Sequence, residues 1–295
     1  MANVRDIRNR IRTVKNIQQI TRAMKMVAAG RLRRAQENVF NARPFAQQML
    51  TILSSVAART EPAVGGAPGP DGVPAHPLLV QRPVEKVLLV LITADRGLCG
   101  AFNANLLRAA QNYLAKRSAP QVSLLAVGRK GRDFFRRRPV KLVGAHTDLF
   151  GRLKFSHAQA IAGEIIDLHT RAEVDAVDLM YNEFKSVLVQ RLTVERHLPI
   201  RPFQPPPGSV LIDYIYEQPP AEIFRALLPR YVEIQVYRAL LESQAAELSA
   251  RMTAMDAATN NAAELIDTFT LHMNRVRQAA ITKEIIEIIS GAAAI

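Results

Sequence analysis

Apolar residues in the C-terminal part of the chain recur at alternating steps of four and three. The series runs through Leu241, Ala245, Leu248, Met252, Met255, Thr259, Ala262, Ile266, Phe269, Met273, Val276 and Ala280, and only Thr259 in it is polar. A seam held for more than five heptads is the pattern of a coiled coil, because that repeat keeps one stripe facing a partner helix. The N-terminal part holds the same spacing through Ala28, Leu32, Ala35, Val39, Ala42, Ala46, Met49, Leu53 and Val56. Val4, Ile7, Ile11 and Val14 fit it too, but between Val14 and Ala28 the apolar frame slips, which predicts a local change of supercoil. Pro44 lies inside the second run and predicts a kink or an interruption there. Two such stripes at opposite ends of one chain predict two long helices paired antiparallel. A helix of about 55 residues would be roughly 80 Å long, more than an ordinary domain, so part of the pair must project. Several seam residues are Ala, which predicts a thin, closely packed shaft.

The middle has a different rhythm. Residues 61–83 are rich in Pro and Gly and read as a linker or flexible loop. Strand and helix patterns then alternate. Strands are predicted over Lys86–Thr93, Val122–Val127, Ala176–Asn182 and Val187–Glu195, and helices over Asn103–Lys116, Arg129–Arg138 and His157–Arg171. That alternation predicts an α/β domain with a mainly parallel, Rossmann-like sheet. Pro202–Pro207 breaks the chain again, Val210–Tyr216 reads as a last extended segment, and the C-terminal helix opens near Pro219 and Pro220. The expected organisation is therefore an N-terminal coiled-coil helix over 1–59, a loop over 60–83, an α/β domain over 84–208, and a connecting segment with the C-terminal helix over 209–295.

Charge changes this picture by adding a direction. The formal net charge is +13, and twelve basic against two acidic residues place +10 of it in residues 1–59, whereas residues 221–295 carry −2. A surplus of that size predicts an anionic partner: nucleic acid, a membrane surface or an acidic protein. Residues 1–39 hold no aromatic side chain among their many arginines before Phe40, so stacking on bases is not built in. The runs Arg31, Arg33, Arg34 and Arg136 to Arg138 read as solvated faces or as contacts for acidic neighbours. The single cysteine, Cys99, cannot form an internal disulfide and fits a reducing compartment. No apolar run is long enough to span a membrane, and the N-terminus lacks the apolar core of a signal peptide.

Catalytic motifs are sparse. An α/β domain invites a search for a nucleotide site, but neither a P-loop nor a GxGxxG follows a strand. The nearest approach is Asp95-Arg96-Gly97-Leu98-Cys99-Gly100, which reads either as an amide nest for an anion or, preferably, as a tight strand-to-helix turn. Nothing in the sequence activates Cys99, and the six histidines show no metal-ligand spacing. No catalytic residue, cofactor or metal is therefore expected. A basic coiled-coil nucleic-acid-binding protein and a small enzyme with helical arms stay open as alternatives on these residues alone.

Longer motifs narrow the choice. Ile20 to Ala29 (ITRAMKMVAA) with Arg31 to Gln36 (RLRRAQ), the turn Asp95 to Gly100 (DRGLCG), Asn274 to Ala279 (NRVRQA), Ile281 to Glu284 (ITKE) and Ser290-Gly291-Ala292 follow one another in order. This succession resembles the gamma subunits of F-type, proton-translocating ATP synthases over nearly the full chain. Gly30-Arg31 departs from the Ser-Lys usual there, and a helical glycine weakens its helix by about 1 kcal/mol. The resemblance implies a non-catalytic central rotor that couples proton-driven rotation of a membrane c-ring to ATP synthesis at beta-subunit sites. It implies alpha, beta and epsilon subunits and the c-ring as partners, with no nucleic acid, at the cytoplasmic face of a bacterial inner membrane. By the same resemblance Arg277, Gln278 and Thr282, with Arg251 and Thr259, would touch the beta catch loop. Met24 and Lys25 would face beta from the N-terminal helix. Ile285, Ile288, Ile289, Ala292 and Ile295 would form an apolar bearing.

Overall fold

The computed structural model of the protein describes residues 4–57, 76–116, 122–200 and 217–293. The chain divides into two compact units, residues 31–250 and residues 1–30 with 251–295. Two long helices, α1 (Val4–Ala57) and α5 (Pro220–Ala293), contribute to both.

The larger unit is built on a five-stranded sheet. Its strands are β1 (Val87–Ile92), β2 (Val122–Val127), β3 (Lys141–His146), β4 (Ala176–Phe184) and β5 (Gln190–Leu198), in the order β3-β2-β1-β4-β5. The first four run parallel and β5 returns antiparallel along β4. Every residue of β1 is buried, as expected for a central strand covered on both faces. Helices α2 (Phe102–Ala115), α3 (Arg129–Phe135) and α4 (Phe155–Thr170) make the crossovers. One core cluster joins Leu88, Val90 and Ile92 of β1 to Ile161 and Ile165 of α4. It extends to Leu53 and Val56 of α1 and to Val232, Val236 and Leu240 of α5. Within this unit the two terminal helices therefore act as a layer of the α/β core. Leu91 points the other way, as alternation requires, and packs beside α3 near Gly131.

The expected strands and helices are present, and two segments differ. Strand β3 had no sequence signal: Lys141-Leu142-Val143-Gly144-Ala145-His146 is a partly exposed edge strand in which only Val143 is a strong β former. The Pro/Gly-rich stretch also does not stay loop-like to Pro83. Pro77–Leu79 forms a short 3-10 turn, Leu78 and Leu79 are buried, and the Ile200 N–H donates to the Leu78 carbonyl at 2.9 Å. Residues 58–75 and the segments expected over 202–207 and 210–216 lie outside the described residues.

The smaller unit pairs the start of α1 with the end of α5, and here the frame-slip expectation is corrected. Ile7, Ile11, Thr21 and Ala28 are buried and Val4, Val14, Gln18 and Lys25 half-buried, so the three-and-four spacing runs unbroken through positions 14, 18, 21, 25 and 28. The frame does not slip; its occupants turn polar. They are accommodated because α5 offers polar partners. The Thr21 hydroxyl donates to the Gln18 carbonyl at 3.0 Å. The Thr259 hydroxyl sits 2.9 Å from Thr21 Oγ1 and 2.7 Å from the Met255 carbonyl. Lys25 Nζ donates to Asp256 Oδ1 at 2.5 Å. Pro44 does not interrupt α1 either. A proline removes one intrahelical hydrogen bond, and the preceding residue, Arg43, is anchored from its side chain to Glu242 and to the Phe184 carbonyl.

Candidate functional site

The pairing of Thr21 with Thr259 and of Lys25 with Asp256 sets the register of the smaller unit: a step forward on α1 matches a step back on α5. In that register Val4 falls opposite Val276, so α5 outruns its partner. The burial follows. Val276 is half-buried, and every residue from Arg277 to Ser290 is exposed. Among the described residues the buried seam predicted to Ala280 therefore ends one step earlier, at Val276.

The residues singled out from the sequence fall into two groups. Arg277, Gln278 and Thr282 lie on the lone stretch of α5, exposed, with the Thr282 hydroxyl donating back to the Gln278 carbonyl at 2.9 Å. Ile285, Ile288 and Ile289 lie further along it, 51, 71 and 62 % exposed. Ala292 is on the same helix and Ile295 lies outside the described residues. The second group is turned inward. Thr259 and Lys25 meet Thr21 and Asp256 in the helix–helix seam, while Met24 and Arg251 are half-buried. Two exposed isoleucines, Ile281 and Ile286, went unassigned, although at 100° per residue they extend the apolar arc of Ile285, Ile288 and Ile289 to about half the helix circumference. Lys283 and Glu287 lie 3.4 Å apart outside that arc. Thr21 and Asp256 were also missed; counting threes and fours through polar residues would have found Thr21.

The larger unit answers the nucleotide-site question with contacts. The Asp95 carboxylate accepts the backbone N–H groups of Arg129, Asp148 and Phe150 at 3.1, 2.8 and 3.4 Å, so this anion-seeking cluster of amides is filled by the chain's own acid. Leu98 and Gly100 take positive φ (64° and 56°), as a tight turn requires. Cys99 is 1 % exposed and accepts a hydrogen bond from Asn103 Nδ2 at 3.1 Å, a packed rather than a presented thiol. The crevice at the carboxyl ends of the strands, where open α/β sheets hold ligands, is occupied at β4 by Glu242 of α5. Glu242 is 3 % exposed, accepts the Phe184 N–H at 3.0 Å and takes Arg43 through both oxygens at 2.9 and 3.1 Å. That hydrogen bond is the main reason the Arg43 guanidinium is held protonated above its ordinary range.

Two of the histidines, His169 and His197, are buried. Burial lowers His169 and His76 below the ordinary histidine value and brings His197 down to about 4. His146 Nε2 lies 2.8 Å from Glu164 Oε2. Among the described residues no cluster of His, Cys, Asp or Glu could hold a metal ion, and no helix is long and apolar enough to cross a membrane.

Comparison with known proteins agrees over the whole length. The ATP synthase family model matches residues 3–295. The ATP synthase gamma chain of Solibacter usitatus is 51 % identical over 294 residues, covering 100 % of this chain and 99 % of that one. A chain in the central stalk and c-ring structure of Tetrahymena thermophila mitochondrial ATP synthase superposes with a TM-score of 0.61 at 28 % identity, over 81 % of this chain and 99 % of that one. A chain in the OSCP/F1/c-ring structure of Euglena gracilis mitochondrial ATP synthase has the same fold, with a TM-score of 0.65 at 19 % identity over 99 % of this chain and 94 % of that one.

Proposed function

The chain belongs to the gamma-chain family of ATP synthases, and from that membership we propose how its parts divide the work of a rotor. It is the central-stalk rotor subunit of the complex and carries no catalytic site; catalysis belongs to the beta subunits. The complex joins an F1 part to a c-ring.

The observation that carries the proposal is the lone end of α5. From Arg277 to Ser290 it has no α1 partner among the described residues and shows five isoleucines to water. A helix that is apolar over half its circumference needs cover, and a ring of alpha and beta subunits provides it. An apolar collar suits a turning part because it offers few directional bonds to break. Arg277, Gln278 and Thr282, at the base of this stretch, are free to meet a beta catch loop. Arg251 and Met24 lie on the paired part, where partial burial leaves them one accessible edge. Thr259 and Lys25 hold the two helices in register, and this internal role accounts for their inward placement. The exposed Arg8, Arg10, Arg12 and Arg22 of α1 add long-range attraction to acidic loops of beta. The α/β unit forms the foot that meets the c-ring and the epsilon subunit. The complex sits at the cytoplasmic face of a bacterial inner membrane.

The test is a coupling measurement on the assembled complex. Removing residues 281–295, or replacing Arg277 and Gln278 together by Ala, should lower proton pumping per ATP hydrolysed while leaving the foot bound to the c-ring. Unchanged coupling in both variants would refute this division of labour. Co-purification of nucleic acid without alpha and beta subunits would instead favour the nucleic-acid reading.

A further inference from the structure

We propose that the α/β unit carries an anion-binding cleft for a phosphate-bearing ligand, built on α3 and the turn that follows it. The cleft has a volume of about 810 Å³, and Leu107 of α2 and Phe134 of α3 are part of its lining. Its walls bring together Lys130, Arg136, Arg137 and Arg138, with Asp133 as the one acid. Asp133 is already engaged by Arg132 at 2.8 Å. Among the described residues Lys130, Arg136 and Arg137 have no carboxylate partner, so four cations converge on one concavity with little to oppose them.

Ordinary surface physics does not ask for this. Cations beside a helix C-terminus are favourable, but the effect is small and fades within a turn. Three successive arginines and a lysine around one hollow repel each other, and an extended segment would separate them. Here the turn is fixed instead. The Arg136 N–H donates to the Arg132 carbonyl at 2.9 Å, the Arg138 N–H to the Phe135 carbonyl at 3.0 Å, and the Val140 N–H to the Arg138 carbonyl at 2.8 Å. The Arg138 guanidinium lies 3.8 Å over the Phe134 ring. Phe134 in turn stands edge-on to Phe135, with centroids 5.0 Å apart, and Phe135 is 1 % exposed. The stacked plane of Arg138 is thus tied to the core, leaving its N–H fork for a ligand. One stacked guanidinium fork, with two further guanidinium groups and an ammonium carried on the same short helix and fixed turn, suits the dense charge and several acceptor oxygens of phosphate. Preorganisation reduces the ordering cost of binding. A free oligophosphate and an anionic lipid headgroup present this same chemistry.

The experiment uses the full chain in two arms. Sodium pyrophosphate is titrated calorimetrically, and vesicles of phosphatidylcholine with and without phosphatidylglycerol are co-sedimented with the protein. Arg136→Gln with Arg137→Gln removes two exposed cleft cations. Arg152→Gln with Arg171→Gln removes the same charge from exposed positions outside the cleft. The expected result is binding in at least one arm, weakened tenfold or more by the cleft pair and less than twofold by the control pair, with far-UV circular dichroism unchanged. Binding of pyrophosphate assigns the site to free phosphates, and binding of phosphatidylglycerol vesicles alone assigns it to a headgroup. Absence of binding in both arms, or equal loss in the two double variants, overturns the proposal.

Discussion

Lowering the pH from 7.5 to 5 should cost the α/β unit stability through one side chain, His197. It lies on β5, 9 % exposed, with Nε2 buried and without a hydrogen-bond partner. Burial is the main cause of its fall to about 4, a backbone hydrogen bond at Val232 opposes it, and Arg238 adds to it. An unfolded histidine titrates at about 6.5. The unfolded chain therefore binds more protons between those values, and stability is full above pH 6.5, falls through the interval, and levels off below about 4. A gap of about two and a half units corresponds to about 3 kcal/mol in total, of which about 2 kcal/mol is lost by pH 5. The assay is urea unfolding followed by tyrosine fluorescence. The chain has no tryptophan, and the buried Tyr181 reports on the same sheet. Carboxylates and His169 also titrate, so the quantity to read is the stability difference between the protein and its His197→Phe variant at each pH. The variant loses the Val232 contact at all pH values but has nothing to protonate. Its relative stability should rise by about 2 kcal/mol between pH 7.5 and 5. A difference that does not change with pH would refute the reasoning.

Three further variants test the packing. Gly30 is exposed inside α1, and a Cβ there would meet nothing within 4 Å, so Gly30→Ala should stabilise the helix by about 0.5–1 kcal/mol; a lower melting temperature would contradict this. Replacing Thr21 and Thr259 together by Val removes both partners and keeps the shape, so the seam should be unchanged or stabilised by up to about 1 kcal/mol; in thermal melts a loss above that size would show that the hydroxyl pair is needed. Glu242→Leu strands the Phe184 N–H and leaves Arg43, a third exposed, without its carboxylate. The expected cost is about 2–4 kcal/mol by chemical denaturation, and an unchanged midpoint would show that solvent satisfies both groups.

The residues differ in how openly they announced their roles. The apolar steps of α1 and α5 predicted the helices well because a seam must be apolar wherever only packing holds it. Between positions 14 and 28 that rule relaxes: a seam hydroxyl or half-buried ammonium is acceptable once a polar partner is in reach, and the cross-helix partner is about 230 residues away in sequence. A one-dimensional apolar count therefore read a change of chemistry as a change of frame. Strand β3 was hidden for a related reason. Half its environment is solvent, so nothing obliged the apolar run that made β1 plain. The turn at Asp95 was legible only as a choice between an anion nest and a tight turn. The three amides that Asp95 accepts come from segments 34 to 55 residues away, and their arrival decided it. The lone end of α5 had the opposite history. Its sequence motif pointed to it directly, yet its exposure depends on the register, which only the Thr21–Thr259 and Lys25–Asp256 contacts define.

That unpaired end also bears on subunit accounting. A helical segment of this length without a packing partner is marginal in water. In a copy of the chain outside any complex, its amides should exchange with deuterium early and its peptide bonds should be cut first by protease. On the function proposed above, a surrounding ring would protect the same residues from both. Exchange and proteolysis at this segment would then tell an incorporated copy from a surplus one.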